Sequence, residues 1–143
     1  MILLTKFKQT LSIILYFINN QNNNDNKFVS GKEICKALDQ FPDSSIKKNI
    51  TKLVNNDILL SVSGPKGGFS PNPNISLVNI SLAKLFIITE KDNEVIINSK
   101  LQNNLFENGK IIDKYDHNLN NIIGESFQAF INKLNNYKIK DIM

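Results

Sequence analysis

The 143-residue sequence predicts a mainly α-helical fold carrying one small β-hairpin. Three observations predict it. Apolar residues recur at steps of three and four through much of the chain, the spacing of helices that bury one face. A single Gly-rich turn, Gly64-Pro65-Lys66-Gly67-Gly68, stands between two short strand-like runs. Apolar residues make up 41% and charged residues 21%, which allows a core and argues against a disordered polyelectrolyte.

The first helix is predicted over about Thr5–Asn19, from Phe7, Leu11, Ile14, Leu15 and Ile18 at helical spacing. Lys6 and Lys8 ahead of the run Leu11–Ile18 imitate a short leader. The run is too short to span a membrane, and the Asn-rich tract Asn19–Asn26 behind it offers no small-residue cleavage site. Gln21–Asp25 is too polar to pack and reads as a loop; Phe28-Val29 reads as a short strand. Ser30-Gly31-Lys32-Glu33 is a capping box, in which the Ser30 hydroxyl accepts the Glu33 amide N–H and the Glu33 carboxylate reaches back. It opens a short helix carrying Ile34, Ala37 and Leu38.

Phe41-Pro42-Asp43 breaks that helix, and Asp43 or Ser44 is expected to cap the next. That helix, about Ser44–Asn55, buries Ile46, Ile50, Leu53 and Val54, and Asn56-Asp57 can take the left-handed turn that ends it. A strand over Ile58–Ser63 and a return strand from Phe69-Ser70 flank the Gly-rich turn, with Pro71 and Pro73 beyond. Ser76 is expected to cap a helix bearing Leu77, Ile80, Leu82 and Leu85. Residues 91–115 are open between a ligand lobe and a plain connector. A last long helix, about Asp116 to Asn135, carries Leu119, Ile122, Ile123, Phe127, Phe130, Ile131 and Leu134 at steps of three and four. His117 is placed at its start, as a cap or a surface residue.

Helix, short helix, tight turn, basic helix, Gly-rich hairpin is the order of a winged helix-turn-helix. The expected organisation is therefore a DNA-binding domain over 1–90, then a connector and a long C-terminal dimerisation helix over 91–143. Charge agrees. Residues 1–72 hold nine Lys against five acidic residues, a net of +4, whereas residues 73–143 hold eight of each. A one-sided positive field suits a polyanion partner. All 17 basic residues are Lys, so the side chain best suited to bidentate guanine contacts is absent. A helix fits the major groove and a second helix packed across it fixes the approach. The outward residues of the proposed recognition helix are Ser44, Ser45, Lys47, Lys48, Thr51 and Lys52. Lys66 stands at the hairpin tip, where Gly67 and Gly68 would let the main chain approach DNA. Each piece alone also fits a solvated face or an ordinary hairpin; their order and spacing together point to double-stranded DNA.

These residues resemble the Rrf2 family of bacterial regulators. The likeness runs through Leu4-Thr5-Lys6-Phe7-Lys8, Val29-Ser30-Gly31-Lys32-Glu33-Ile34, the wing Ile58–Phe69, Ile75–Ile80 and the closing Tyr137–Ile142. The wing is its most specific part. The resemblance implies a homodimer held by the apolar stripe Leu119–Leu134, each protomer reading one half-site of a near-palindromic operator. It adds Thr5, Lys6, Lys8, Ser30 and Lys32 to the expected DNA contacts. Many members hold an iron–sulfur cluster through three Cys between the wing and the last helix. This chain has none there, so cluster sensing is not expected. The family's wing Arg is Ser63 here, and an aromatic early in its recognition helix is Ser45.

Cys35 is the only cysteine and His117 the only histidine, which excludes an internal disulfide and a Cys-only metal site. No cofactor or metal is expected, nor a membrane anchor; cytoplasmic residence fits. Cys35 reads as a buried structural residue, with a thiol redox switch tuned by Lys32 and Lys36 as the alternative. The function expected is a homodimeric regulator, with repression as its mode. Its alternative is a winged-helix module for protein contact. No nucleophile triad or phosphate loop points to an enzyme. The operator and the effector stay open.

Overall fold

The computed structural model of the chain describes residues 3–20, 28–90 and 109–143. The loop expected over 21–25 and most of the 91–115 segment lie outside them. The described elements are α1 (Leu3–Asn20), α2 (Gly31–Ala37), α3 (Asp43–Asn55), β1 (Leu59–Val62), β2 (Gly68–Pro71), a 3₁₀ turn (Leu77–Asn79), α4 (Leu82–Glu90), α5 (Gly109–Leu134) and a second 3₁₀ turn (Ile139–Ile142).

The core gathers around α1, which packs on α2, α3, α4 and the first 3₁₀ turn. Its centre is Ile13, Ile14, Ile34, Ile46, Ile50, Leu53, Ile58, Leu59 and Leu85, all essentially inaccessible. The buried stripe of α1 runs through Thr10, Ile13, Ile14 and Phe17, while Phe7, Leu11, Leu15 and Ile18 are half-buried on its flanks. The expected stripe thus packs on the core, with Ile14 at its centre, but most of the deepest positions fall beside it. A helix covered on several sides has no single apolar edge, and Thr10 can be buried because its hydroxyl donates to the Lys6 carbonyl at 3.0 Å.

β1 and β2 form an antiparallel hairpin with Leu59 opposite Pro71 and Val62 opposite Gly68. Val29 adds a bridge to the other edge of β2, exchanging 2.8 Å backbone bonds with Phe69 in both directions. The expected 28–29 strand is reduced to that bridge.

The single helix expected after Ser76 is broken in two. Ser76 caps nothing with its side chain; the Ser81 hydroxyl accepts the Lys84 amide N–H at 3.0 Å and opens α4. The break lets the C-terminal tail in. The amide of Leu82 donates to the Tyr137 carbonyl (2.9 Å) and that of Ile139 to the Ile80 carbonyl (3.0 Å). Ile139 is itself fully buried in the same core. No helix among the described residues is long and apolar enough to cross a membrane.

Candidate nucleic-acid interface

The helix-turn-helix is built by its caps. Ser30 is extended (φ −68°, ψ 154°) and its hydroxyl accepts the Glu33 amide N–H at 3.2 Å, the first half of the expected box; Glu33 itself stands exposed. α2 ends at Leu38, whose N–H returns to Ile34, and the turn closes through Phe41 N–H to Leu38 (3.0 Å). Pro42 then occupies the cap position of α3 (φ −61°, ψ 137°), so neither Asp43 nor Ser44 caps it with a side chain. Both lie inside its first turn, where the Asp43 charge still favours the helix dipole. At the far end α3 finishes at Asn55 with Asn56 as its cap, and Asp57 just beyond adopts a positive φ of 58°.

Packing decides which face of α3 is free. Ile46, Asn49, Ile50 and Leu53 are buried. The Asn49 amide donates to the Gln9 side-chain oxygen at 2.9 Å, both side chains being inside the α1–α3 contact. Ser44, Lys47, Lys48 and Thr51 are exposed, and Ser45 is half-buried. Thr51 donates its hydroxyl proton to the Lys47 carbonyl (3.0 Å), which leaves its methyl group and an oxygen lone pair outward. Lys52 departs from the expected outward set. It is half-buried, and its Nζ donates to the Thr89 carbonyl of α4 at 3.1 Å. The cause is the helical step, which carries position 52 round to the flank against α4.

The wing follows α3 and packs on it through β1. Its tip closes through Gly67 N–H to Gly64 C=O (3.0 Å) and presents Lys66 exposed. The wing glycines serve the chain's own close approaches. A Cβ at Gly67 would lie 2.1 Å from the Val62 carbonyl oxygen, and one at Gly68 2.4 Å from that of Val29. Thr5 and Lys8 on α1 and Lys32 on α2 are exposed, whereas Lys6 and Ser30 are half-buried.

A family profile described as winged helix-turn-helix transcription repressor, HrcA DNA-binding, matches residues 4–81, over half of the chain. The chain belongs to this winged helix-turn-helix family. No curated protein matches it. Among solved structures, it is similar to a protein of Lactobacillus plantarum assigned as a transcriptional regulator. The identity there is 15%, over 96% of this chain and 86% of that one, with a TM-score of 0.71. It is also similar to CymR of Staphylococcus aureus, at 16% identity over 95% and 93% of the two chains and a TM-score of 0.57. CymR of B. subtilis, the global cysteine regulator, follows at 15% identity over 85% and 84%, TM-score 0.51. At these identities the likeness is one of fold.

In this winged-helix regulator Cys35 lines a hollow of about 280 Å³ together with Lys32, Lys36, Asp39, Asp43 and Lys47. The thiol is 5% exposed and donates weakly to the Asp43 carbonyl at 4.0 Å. Burial pushes its pKa up and the Asp43 charge adds to this; Lys47 pulls the other way and loses. Lys32 and Lys36, the cations expected to activate it, are not what sets its acidity. Because the thiolate is the reactive form, iodoacetamide at pH 7 is expected to alkylate Cys35 at least about tenfold more slowly in the folded protein than in urea. Equal rates would show that Cys35 is open.

α5 begins earlier than expected, at Gly109. His117 is therefore an exposed residue within the helix, beside Asn121 at 3.3 Å, and not a cap. The apolar stripe divides. Ile131 and Leu134 turn half-buried toward the domain, and Leu134 packs on the core. Phe127 and Phe130 are both near half exposed, yet their rings reach Phe86 of α4 at 6.1 and 5.1 Å. Leu119, Ile122 and Ile123 are 39%, 60% and 39% exposed, and Tyr115, absent from the sequence reading, joins them at 48%. Its four-residue spacing to Leu119 was the available signal. Among the described residues no group of three His, Cys, Asp or Glu side chains is placed to share a metal ion.

Proposed function

We propose that the chain is a homodimeric, sequence-specific repressor of transcription of the Rrf2 type, acting in the cytoplasm on a near-palindromic operator. The observation that carries this is the open face of α3. Packing leaves Ser44, Lys47, Lys48 and Thr51 exposed together, and the wing that follows carries an exposed Lys66 at its tip. Lys neutralises phosphate as a point charge, and the short hydroxyl residues can meet phosphates or base edges. Thr5, Lys8 and Lys32 extend the same chemistry to the backbone on either side. The HrcA-type profile names a repressor, which supports that mode. The Rrf2 type rests on the wing motif and on the full-length likeness to CymR, itself of that type. The uncovered apolar stripe on α5 supports the dimer, since a stripe of this width favours a partner.

The test is binding of the purified protein to fragmented DNA of its own genome near physiological salt, with bound fragments sequenced. Recovery of a few sites sharing an inverted repeat is the expected result. No enrichment would favour a protein-contact module instead. Lys47→Ala with Lys48→Ala is expected to preserve the fold, because exposed Lys contributes little to stability. The same variant should flatten the log–log salt dependence of binding by about 0.9 per lost phosphate contact. An unchanged slope would displace the recognition helix from α3.

A further inference from the structure

We propose that Lys52, although it sits on the recognition helix, is a positioning residue that fixes the rotation of α3 against α4 and does not touch DNA. This rests on the DNA-binding reading above. The carbonyl of Thr89 on α4 receives the Lys52 ammonium at 3.1 Å. The charge on the donor makes this a charge-assisted hydrogen bond, stronger than one between neutral groups. The surroundings hold the tie firmly, for Thr89 is fully buried and its own hydroxyl donates to the Leu85 carbonyl at 2.7 Å.

One turn earlier on α3, Asn49 makes the other polar tie, to Gln9 of α1. Apolar contacts at Ile46, Ile50 and Leu53 hold α3 down but are non-directional. Hydrogen bonds are directional. Two of them, three residues apart and reaching different helices, define which residues of α3 face outward. α4 also carries Phe86, against which Phe127 and Phe130 of α5 pack. Lys52 therefore links the aim of the recognition helix to the helix on which α5 rests.

Three variants test this: Lys52→Met, which keeps the stem and removes the donor; Lys52→Arg, which keeps a charged donor; and Lys48→Ala as the contact-type comparison. Affinity is measured over a salt series on a duplex carrying the recovered inverted repeat and on a shuffled duplex of equal length. Lys52→Met should weaken the specific duplex about tenfold, the equivalent of one weakened base-pair contact, with its salt slope unchanged and the shuffled duplex unaffected. Lys52→Arg should bind as the native protein does. A slope reduced by about 0.9 on both duplexes would make Lys52 a phosphate contact and overturn the proposal, as would unchanged specific affinity in Lys52→Met. Amide resonances of the DNA-free protein give an independent reading. Lys52→Met should shift those of α3 and of the end of α4, and Lys48→Ala should leave the end of α4 alone. If the native protein binds neither duplex, the DNA-binding reading fails by itself. Unmoved resonances at Thr89 and Glu90 in Lys52→Met would refute the tie.

Discussion

Ile122→Asp combined with Ile123→Asp is expected to turn the protein into a monomer and to weaken its binding to a two-half-site operator by about 10²–10⁴-fold. The size follows from joining two half-site contacts in one particle, where the second is made at high effective concentration. The choice of residues follows from exposure. Ile122 is 60% and Ile123 39% exposed in the single chain, so charges there disturb the protomer little while two facing copies would repel and bury unpaired carboxylates. Phe127 and Phe130 are unsuitable, because their contact with Phe86 would confound assembly with folding. Sedimentation gives the mass, and a duplex with one half-site is the control that should change little. A double variant that still sediments as a dimer would remove α5 from the interface.

Gly68→Ala is expected to lower stability by about 3 kcal/mol or more, and the melting temperature by on the order of 10 °C. Gly68 has a φ of +139°, a conformation costly for other residues, and an added Cβ would lie 2.4 Å from the Val29 carbonyl oxygen and 2.6 Å from its carbon. Those atoms are backbone and are pinned by the paired 2.8 Å bonds between Val29 and Phe69, so relief requires breaking the bridge that fastens the wing to the start of α2. Gly64→Ala is the matched comparison. Its φ is +108° but nothing lies within 4 Å of the added carbon, so only the conformational cost remains, about 1–3 kcal/mol. Equal melting temperatures for the two variants would show that the bridge is dispensable.

Much of this fold was legible in the sequence because its signals are local. The Ser30 cap, the Pro42 break, the Asp57 turn and the Gly64–Gly68 loop each act within a few residues, and each appears where the sequence puts it. The misses come from contacts across the chain. Ser76 and Ser81 are equivalent as local caps; the incoming tail at Tyr137–Ile139, pairing with Ile80 and Leu82, decides for Ser81. Lys52 reads like Lys48 until α4 stands beside it. Nothing in the sequence singles out Thr10, Gln9 or Asn49 for burial, and their hydrogen bonds make it acceptable. Within the candidate interface, the outward Lys of α3 follow from periodicity alone. The use of Gly67 and Gly68 does not, because a glycine admits close approach without naming which atom approaches.

The tail that pairs across the break before α4 has a mechanical consequence. α5 leaves the domain as a rod of 26 residues, about 39 Å long at 1.5 Å per residue. The tail clamp and the Phe86 ring cluster hold its C-terminal part, and near its start Ile112 is buried. A rod of this length magnifies rotation, because turning it about one end moves the other in proportion to its length. A tilt of about 5° displaces that end by roughly 3.4 Å, the rise of one base pair. Two copies joined along their rods would convert a change too small to disturb either core into a mismatch of one step between the half-sites they straddle.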